Sequence, residues 1–196
     1  LVVGAYGMSK YFDWADHKVT SVFADGAGAA VVSRATRAGV GILASELYTE
    51  GQYHDYMGVY AGGTAFPIND KNVSEGLHLL KFAKRIPPET NGEHWPRLTN
   101  LILDRIGKTV SDVDHFFFTQ INIGSIEETM KKLGQPMSKA HNIMDRFGYT
   151  GSACIPMALA DAARSHKLRE GDLVMILGSG GGMSMAALAL RWSYDT

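Results

Sequence analysis

The chain has 196 residues, 45% hydrophobic and 20% charged, which is enough apolar material for one ordinary globular core. Its 19 basic and 20 acidic residues leave a net charge of −1, so neither a nucleic-acid surface nor a basic tail is expected. A single cysteine, Cys154, excludes an internal disulfide framework, and no apolar run is long enough to span a bilayer, so the expected setting is cytoplasmic.

In chain order, Leu1-Val2-Val3-Gly4 reads as a short buried strand. It begins without Met or a leader pattern, so the natural beginning of the protein is expected to lie elsewhere. Ser21–Ala24 and Ala29–Ser33 read as strand pieces around a bend at Asp25-Gly26-Ala27-Gly28, with Asp25 fixing backbone N–H groups. Residues 35–71 show no helical period and read as irregular. A helix is expected over Glu75–Arg85, stopped by Pro87-Pro88. A second runs over Trp95–Ile106, with Leu98, Leu101, Ile102 and Ile106 on one face and Gly107 as its stop.

Val113–Phe118 is an apolar, aromatic run of strand length. Ile123, Ile126, Met130 and Leu133 repeat on one helical face before Gly134. After a turn at Gly148–Ser152, an Ala-rich helix is expected over Ile155–Lys167, with Pro156 tolerated in its first turn. Leu173–Leu177 and Met185–Trp192 read as closing strands around a Gly-rich segment. This alternation predicts an α/β layered fold.

The chemistry-bearing candidates are few. Gly178-Ser179-Gly180-Gly181-Gly182 lies between two strands and reads either as a tight turn or as a backbone oxyanion hole. It is no dinucleotide loop, because a strand and not a helix follows, and no Gly-Lys-Ser/Thr marks a phosphate loop. The seven histidines include no His-Glu-x-x-His and no Cys/His pair at metal spacing, so no metal site is expected. His115 and His141 are candidate general bases, with a hydrogen-bonded structural role the stronger reading of each. Cys154 begins a helix, where a thiol can be activated, but a small buried packing residue is the stronger reading.

Three ordered segments carry a resemblance. They are Leu1–Gly4 with Asp13-Trp14-Ala15-Asp16 and Phe23-Ala24-Asp25-Gly26-Ala27-Gly28-Ala29; Arg146-Phe147-Gly148-Tyr149-Thr150-Gly151-Ser152-Ala153-Cys154-Ile155-Pro156; and Gly171-Asp172 through Gly180-Gly181-Gly182 to Arg191-Trp192. Together they resemble 3-oxoacyl-acyl-carrier-protein synthase III and its relatives in the thiolase superfamily. Leu79–Ala83 is similar to a helical F-K-F-A stretch of that family. The resemblance implies a layered αβαβα fold of two similar halves. Residues 1–35 would be the tail of the N-terminal half, and 36–196 the C-terminal half.

It also implies acyltransferase chemistry, in which a cysteine thiolate takes an acyl group from a coenzyme A thioester and a carbon–carbon bond follows. That cysteine would lie upstream of Leu1. Acyl-CoA is then a substrate and no cofactor is implied. The implied partners are an acyl carrier protein and a second copy or companion synthase subunit, with no nucleic acid and no membrane.

Departures from the family pattern bear on the site. The family's H-Q-A-N corresponds to Thr119-Gln120-Ile121-Asn122, and its Asn in G-N-T to Tyr149. The family's carrier-docking Arg corresponds to Gly124, leaving Lys131 and Lys132 as basic candidates. A Thr hydroxyl is no general base near neutral pH, so the usual decarboxylative condensation should be impaired. Thr119, Tyr149 and Gly181 are the candidate catalytic positions, and Gln120, Asn122, Gly180 and Gly182 the candidate substrate-binding ones. Two readings follow: a specialised acyltransferase, or a non-catalytic synthase subunit that dimerises with an active partner.

Overall fold

The computed structural model describes residues 1–35 and 37–196; Thr36, in the stretch expected to be irregular, lies outside them. Strands β1 (Val2–Tyr6) and β2 (Gly26–Ala30) form a two-stranded antiparallel sheet. Helix α1 (His17–Thr20) lies between them, N-capped by Asp16. A second sheet is built from β3 (Gly41–Tyr53), β6 (His115–Phe118), β7 (Leu173–Gly180) and β8 (Gly182–Arg191), in the order β3-β8-β7-β6. The β6–β7 pair is parallel, with Phe117 opposite Ile176, and the other pairs are antiparallel.

Alternation along β6 explains why the β6–β7 end of this sheet is buried on both faces. Phe116 and Phe118 turn toward α3 (Thr90–Arg105) and α4 (Ile123–Lys132), packing with Trp95, Leu98, Ile102, Ile126 and Met130. Phe117, between them in sequence, turns the other way, into a cluster with Ile143, Ala158, Ala162 and Val174. Ala158 and Ala162 belong to α6 (Cys154–Arg164), whose opposite side carries the β1–β2 sheet. The layer order is therefore helices, sheet, helix, sheet.

Three sequence expectations are corrected here. The segment read as irregular contains β3, the longest strand; it is an edge strand whose exposed face carries Ser45, Leu47 and Thr49 while Glu46 and Glu50 lie on the half-buried face, so polar and apolar residues occur on both faces and hide its alternation. The helix expected over 75–85 is replaced by α2 (Asp70–Ser74), a turn at Gly76, and β5 (Lys81–Phe82) paired with β4 (Met57–Gly58). Leu80 N–H bonds Tyr11 O and Lys84 N–H bonds Tyr56 O, so tertiary partners hold these donors in place of a helix. The bend expected at 26–28 is strand β2 itself. A Cβ on Gly28 would lie 2.9 Å from Pro156, and one on Gly4 2.2 Å from Ser152 O, so the glycines serve close sheet–helix contact. Asp25 does fix a backbone N–H: its carboxylate accepts from Ser9 N at 2.9 Å.

Candidate active site

Thr119 directly follows β6. Its N–H donates to Leu177 O at 2.9 Å, the last ladder bond to β7. Its hydroxyl then accepts from Ser179 N–H at 2.8 Å and donates to Ser179 O at 3.3 Å. The side chain thus extends the sheet by one residue, using its hydroxyl as a backbone amide would be used. Only 4% of Thr119 is exposed.

Gln120 is fully buried, and both ends of its amide are committed: Nε2 donates to His141 O at 3.0 Å and Oε1 accepts from Ile143 N–H at 2.8 Å. The expectation that Gln120 binds substrate is therefore corrected: it clamps the 141–143 segment alongside β6. Asn122 is the N-cap of α4, its side chain accepting from Gly124 N–H at 2.9 Å, and it sits exposed at the rim of a cleft.

Tyr149 enters from the other side. Its backbone bonds Val22 O and Ala24 N–H, and its ring packs 5.3 Å from Phe23 and 6.3 Å from Tyr6. Burial raises its phenol pKa well above the ordinary tyrosine range, so the group is a neutral hydrogen-bond donor at every physiological pH. Tyr6 beside it is pushed up to about 12, by burial first and then by Asp25.

The Gly-rich segment is a hairpin: Gly180 ends β7, Gly182 begins β8 at φ +129°, and exposed Gly181 lies between them. Two clefts meet at this hairpin. One, of about 570 Å³, is bounded by Tyr6, Phe23, Leu47, Ile155 and Met185. The other, of about 800 Å³, runs between Phe82, Ile86, Pro87, Ile121 and Met183, with Lys18, Lys84 and Arg85 among its lining. Met57, Thr119, Tyr149, Ser179, Gly180 and Gly181 border both. Thus Thr119, Tyr149, Gly180 and Gly181 converge, Asn122 is at the edge, Gly182 shapes the turn, and Gln120 lies behind.

The candidate bases do not reach this junction. His115 opens β6, four residues before Thr119 and so about 13 Å along the strand, and its ring pairs with Asp172 at 3.2 Å. His141 is buried against Phe117, its Nε2 2.8 Å from Asp161 Oδ2 and its Nδ1 3.3 Å from Lys167 Nζ. Burial holds its pKa below the ordinary value, with Asp161 opposing the shift. Both are hydrogen-bonded structural histidines.

Cys154 borders the smaller cleft but is 2% exposed, and burial raises its thiol pKa while backbone N–H groups, that of Gln120 first, oppose the rise. That is the reverse of an activated thiolate. Lys132, one of the basic candidates, is held by Glu128 at 2.7 Å and by Gly92 O at 3.0 Å. Met57 and Ser179 were not foreseen. Met57 sits in the stretch that carries no periodic signal, and Ser179 stands in the sequence as one residue of a glycine cluster.

A family model for the C-terminal part of 3-oxoacyl-[acyl-carrier-protein] synthase III matches residues 103–192, and the model for 3-oxoacyl-[acyl-carrier-protein] synthase III matches residues 1–51. The beta-ketoacyl-[acyl-carrier-protein] synthase III of Symbiobacterium thermophilum is 37% identical over 200 residues, covering 98% of this chain and 58% of that protein. The same-named protein of Oceanobacillus iheyensis is 36% identical over 194 residues, covering 98% and 56%.

Solved structures of 3-oxoacyl-[acyl-carrier-protein] synthase III from Aquifex aeolicus (27% identical, TM-score 0.80, covering 97% of this chain and 57% of that one) and of its counterpart from Thermus thermophilus (29%, 0.78, 98% and 58%) share the fold. The chain spans somewhat over half the length of these relatives. With both models matched in order along one chain and the fold shared throughout, the chain belongs to the 3-oxoacyl-[acyl-carrier-protein] synthase III-like proteins of thiolase fold.

Proposed function

We propose that the protein carrying this chain transfers acyl groups from coenzyme A or carrier-protein thioesters, with the junction of the two clefts as the place where the thioester lies. The observation that carries this reading is the convergence of Gly180, Gly181, Thr119 and Tyr149 on a throat that opens to a cleft on either side. The larger cleft combines an apolar wall with Lys18, Lys84 and Arg85, which suits a pantetheine arm followed by phosphate. The smaller one, walled by Tyr6, Phe23, Ile155 and Met185, suits an acyl chain. Under this reading residues 1–35 end a first half whose remainder supplies the nucleophile, and 36–196 form the second half.

In the transfer step, a thiolate of the full protein attacks the thioester carbonyl, the oxygen takes the negative charge, and the carbon–sulfur bond breaks to release the coenzyme A or carrier thiolate. Backbone N–H donors at the Gly180–Gly181 turn and the neutral Tyr149 phenol stabilise that oxygen. Among the described residues no imidazole lines the throat. Thr119 has its proton on Ser179 O and a lone pair on Ser179 N–H, so it removes no proton from an incoming acceptor. Acyl transfer is therefore the favoured step, and malonyl decarboxylation by the family's usual His/Asn pair is not. The protein is expected to act in the cytoplasm and as a dimer.

A second reading rests on the same side chains. Thr119 and Gln120 are both spent on holding the fold together, as in a synthase subunit that lends stability to an active partner. Intact mass of the full protein after incubation with a panel of acyl-coenzyme A thioesters separates the two. A stable adduct outside these 196 residues establishes transfer; no adduct from folded protein with any thioester favours the companion-subunit reading.

A further inference from the structure

Six residues border both clefts, and among them Met57 differs in kind. Thr119, Ser179, Gly180 and Gly181 belong to the ends of β6 and β7 or to the hairpin, and Tyr149 is fixed by backbone bonds on both sides. Met57 alone comes from the small β4–β5 sheet, reaching across so that its Cε lies 3.9 Å from the position a Cβ would take on Gly181. Its backbone is held firmly. Met57 pairs with Phe82, Lys84 Nζ bonds Asp55 Oδ2 at 2.7 Å, Lys84 N–H bonds Tyr56 O, and the Tyr60 hydroxyl donates to Asp55 O at 2.7 Å.

A long thioether on an anchored backbone is a movable side chain at a fixed place. Methionine has three rotatable bonds and adapts its shape to whatever lies against it. Met57 also packs against the cluster of Phe12, Val19, Phe23 and Leu80, while its methyl end lies toward Gly181.

We infer that Met57 sets the bore of the throat between the two clefts and so selects the acyl group by its cross-section. Resting on the thioester reading above, this makes Met57 the specificity-determining residue for that site. The ligand class follows: thioesters whose acyl carbons next to the carbonyl are slender pass beneath the methionine, and branched ones do not. Nothing in the sequence marked this position, because two-residue strands carry no periodicity.

The test uses S-alkyl-coenzyme A thioethers, which cannot react, binding to the full protein by calorimetry. Ethyl, butyl and 2-methylpropyl thioethers are compared in wild type, Met57→Ala and Met57→Phe, with native folding of each checked by circular dichroism. The wild type should prefer ethyl and butyl over 2-methylpropyl. Met57→Ala should raise relative affinity for the branched thioether by about tenfold, the usual scale for relieving one or two carbons' worth of crowding in an apolar site. Met57→Phe should weaken binding of butyl and 2-methylpropyl more than ethyl. An unchanged order and spacing of affinities in both folded variants overturns the role of Met57 while leaving thioester binding intact. No binding of any thioether to wild type overturns the thioester reading and this inference with it.

Discussion

The Thr119 hydroxyl and the Ser179 backbone form a reciprocal pair, with the hydroxyl accepting from Ser179 N–H at 2.8 Å and donating to Ser179 O at 3.3 Å. Where β6 runs out of backbone partners, one side chain continues the ladder and sets the position of the residue just before the glycine turn. Replacing Thr119 by Val keeps the shape and removes both bonds. Urea unfolding of the full protein should show a loss of about 1–3 kcal/mol, the range for orphaning a partly buried amide. Thr119→Ser should recover most of it. Equal stability of the Val and Ser variants would show that the pair contributes only geometry.

Under the proposed function, Thr119 and Tyr149 take the places of an imidazole and an amide that would complete a decarboxylating site. The double variant Thr119→His with Tyr149→Asn should release carbon dioxide from malonyl thioesters faster than the parent, provided the full protein becomes acylated. A folded, acylatable double variant with no gain would mean that the surrounding clefts, and not these two side chains, set the reaction.

His141 makes stability depend on acid. Burial depresses its pKa below the ordinary histidine value of 6.5, so the folded state prefers the neutral ring. The unfolded chain takes up the proton first as pH falls, so this contribution is complete above about 6.5 and is lost as pH drops below that value toward the depressed one. Asp161, Arg146 and Lys167 are the charged groups around it. The melting temperature should therefore decline as pH falls below 6.5 toward the depressed value, and His141→Asn should flatten that decline. An identical slope in the variant would place the acid sensitivity elsewhere. Asp161 acts later: Arg146, then His141, hold its carboxyl below the usual 3.8, so its contribution is lost only in stronger acid, as pH falls through the depressed value.

The α3–α4 crossing offers a sharper energetic test. Pro96 lies inside α3 and has no N–H, so the Gly92 carbonyl four residues earlier loses its helical donor. Lys132 Nζ from α4 supplies one instead, 3.0 Å from Gly92 O. A Cβ on Gly92 would lie 2.6 Å from the Glu128 carboxylate, so a side chain there would push that flexible carboxylate, and its pairing with Lys132, aside. Lys132→Met should cost about 0.5–1 kcal/mol at this half-exposed site. In a Pro96→Ala background, where the helix provides its own N–H, the same change should cost much less. Additive effects in this double-mutant cycle would disconnect Lys132 from the proline.

The sequence was most legible where periodicity was strong and uninterrupted. The face of Ile126 and Met130 in α4, the Ala-rich α6 and the aromatic run of β6 all lie close to where the spacing of apolar residues put them. Positions 119 and 149 were linked in the sequence only through the family motifs, and both border the two clefts. What the sequence hid was decided by tertiary contact. Gln120 looks like any polar residue beside a motif, and only the 141–143 segment lying against it shows that both of its ends are taken. Glycines 26 and 28 suggested a bend because glycine permits one, whereas here they remove side chains from a strand that must touch a helix.

That contact has a further effect on how the molecule tolerates change. With Gly4 and Gly28 resting almost directly on Ser152 and Pro156, the β1–β2 sheet gauges the height of the segment that leads from Tyr149 into α6. A methyl group added at either glycine would lift that segment and tilt Tyr149 relative to the hairpin. The spacing between two layers of the fold thus acts as a shim for the throat, and under the proposed function drift in the bare face of a strand would register first as a change in which acyl groups fit.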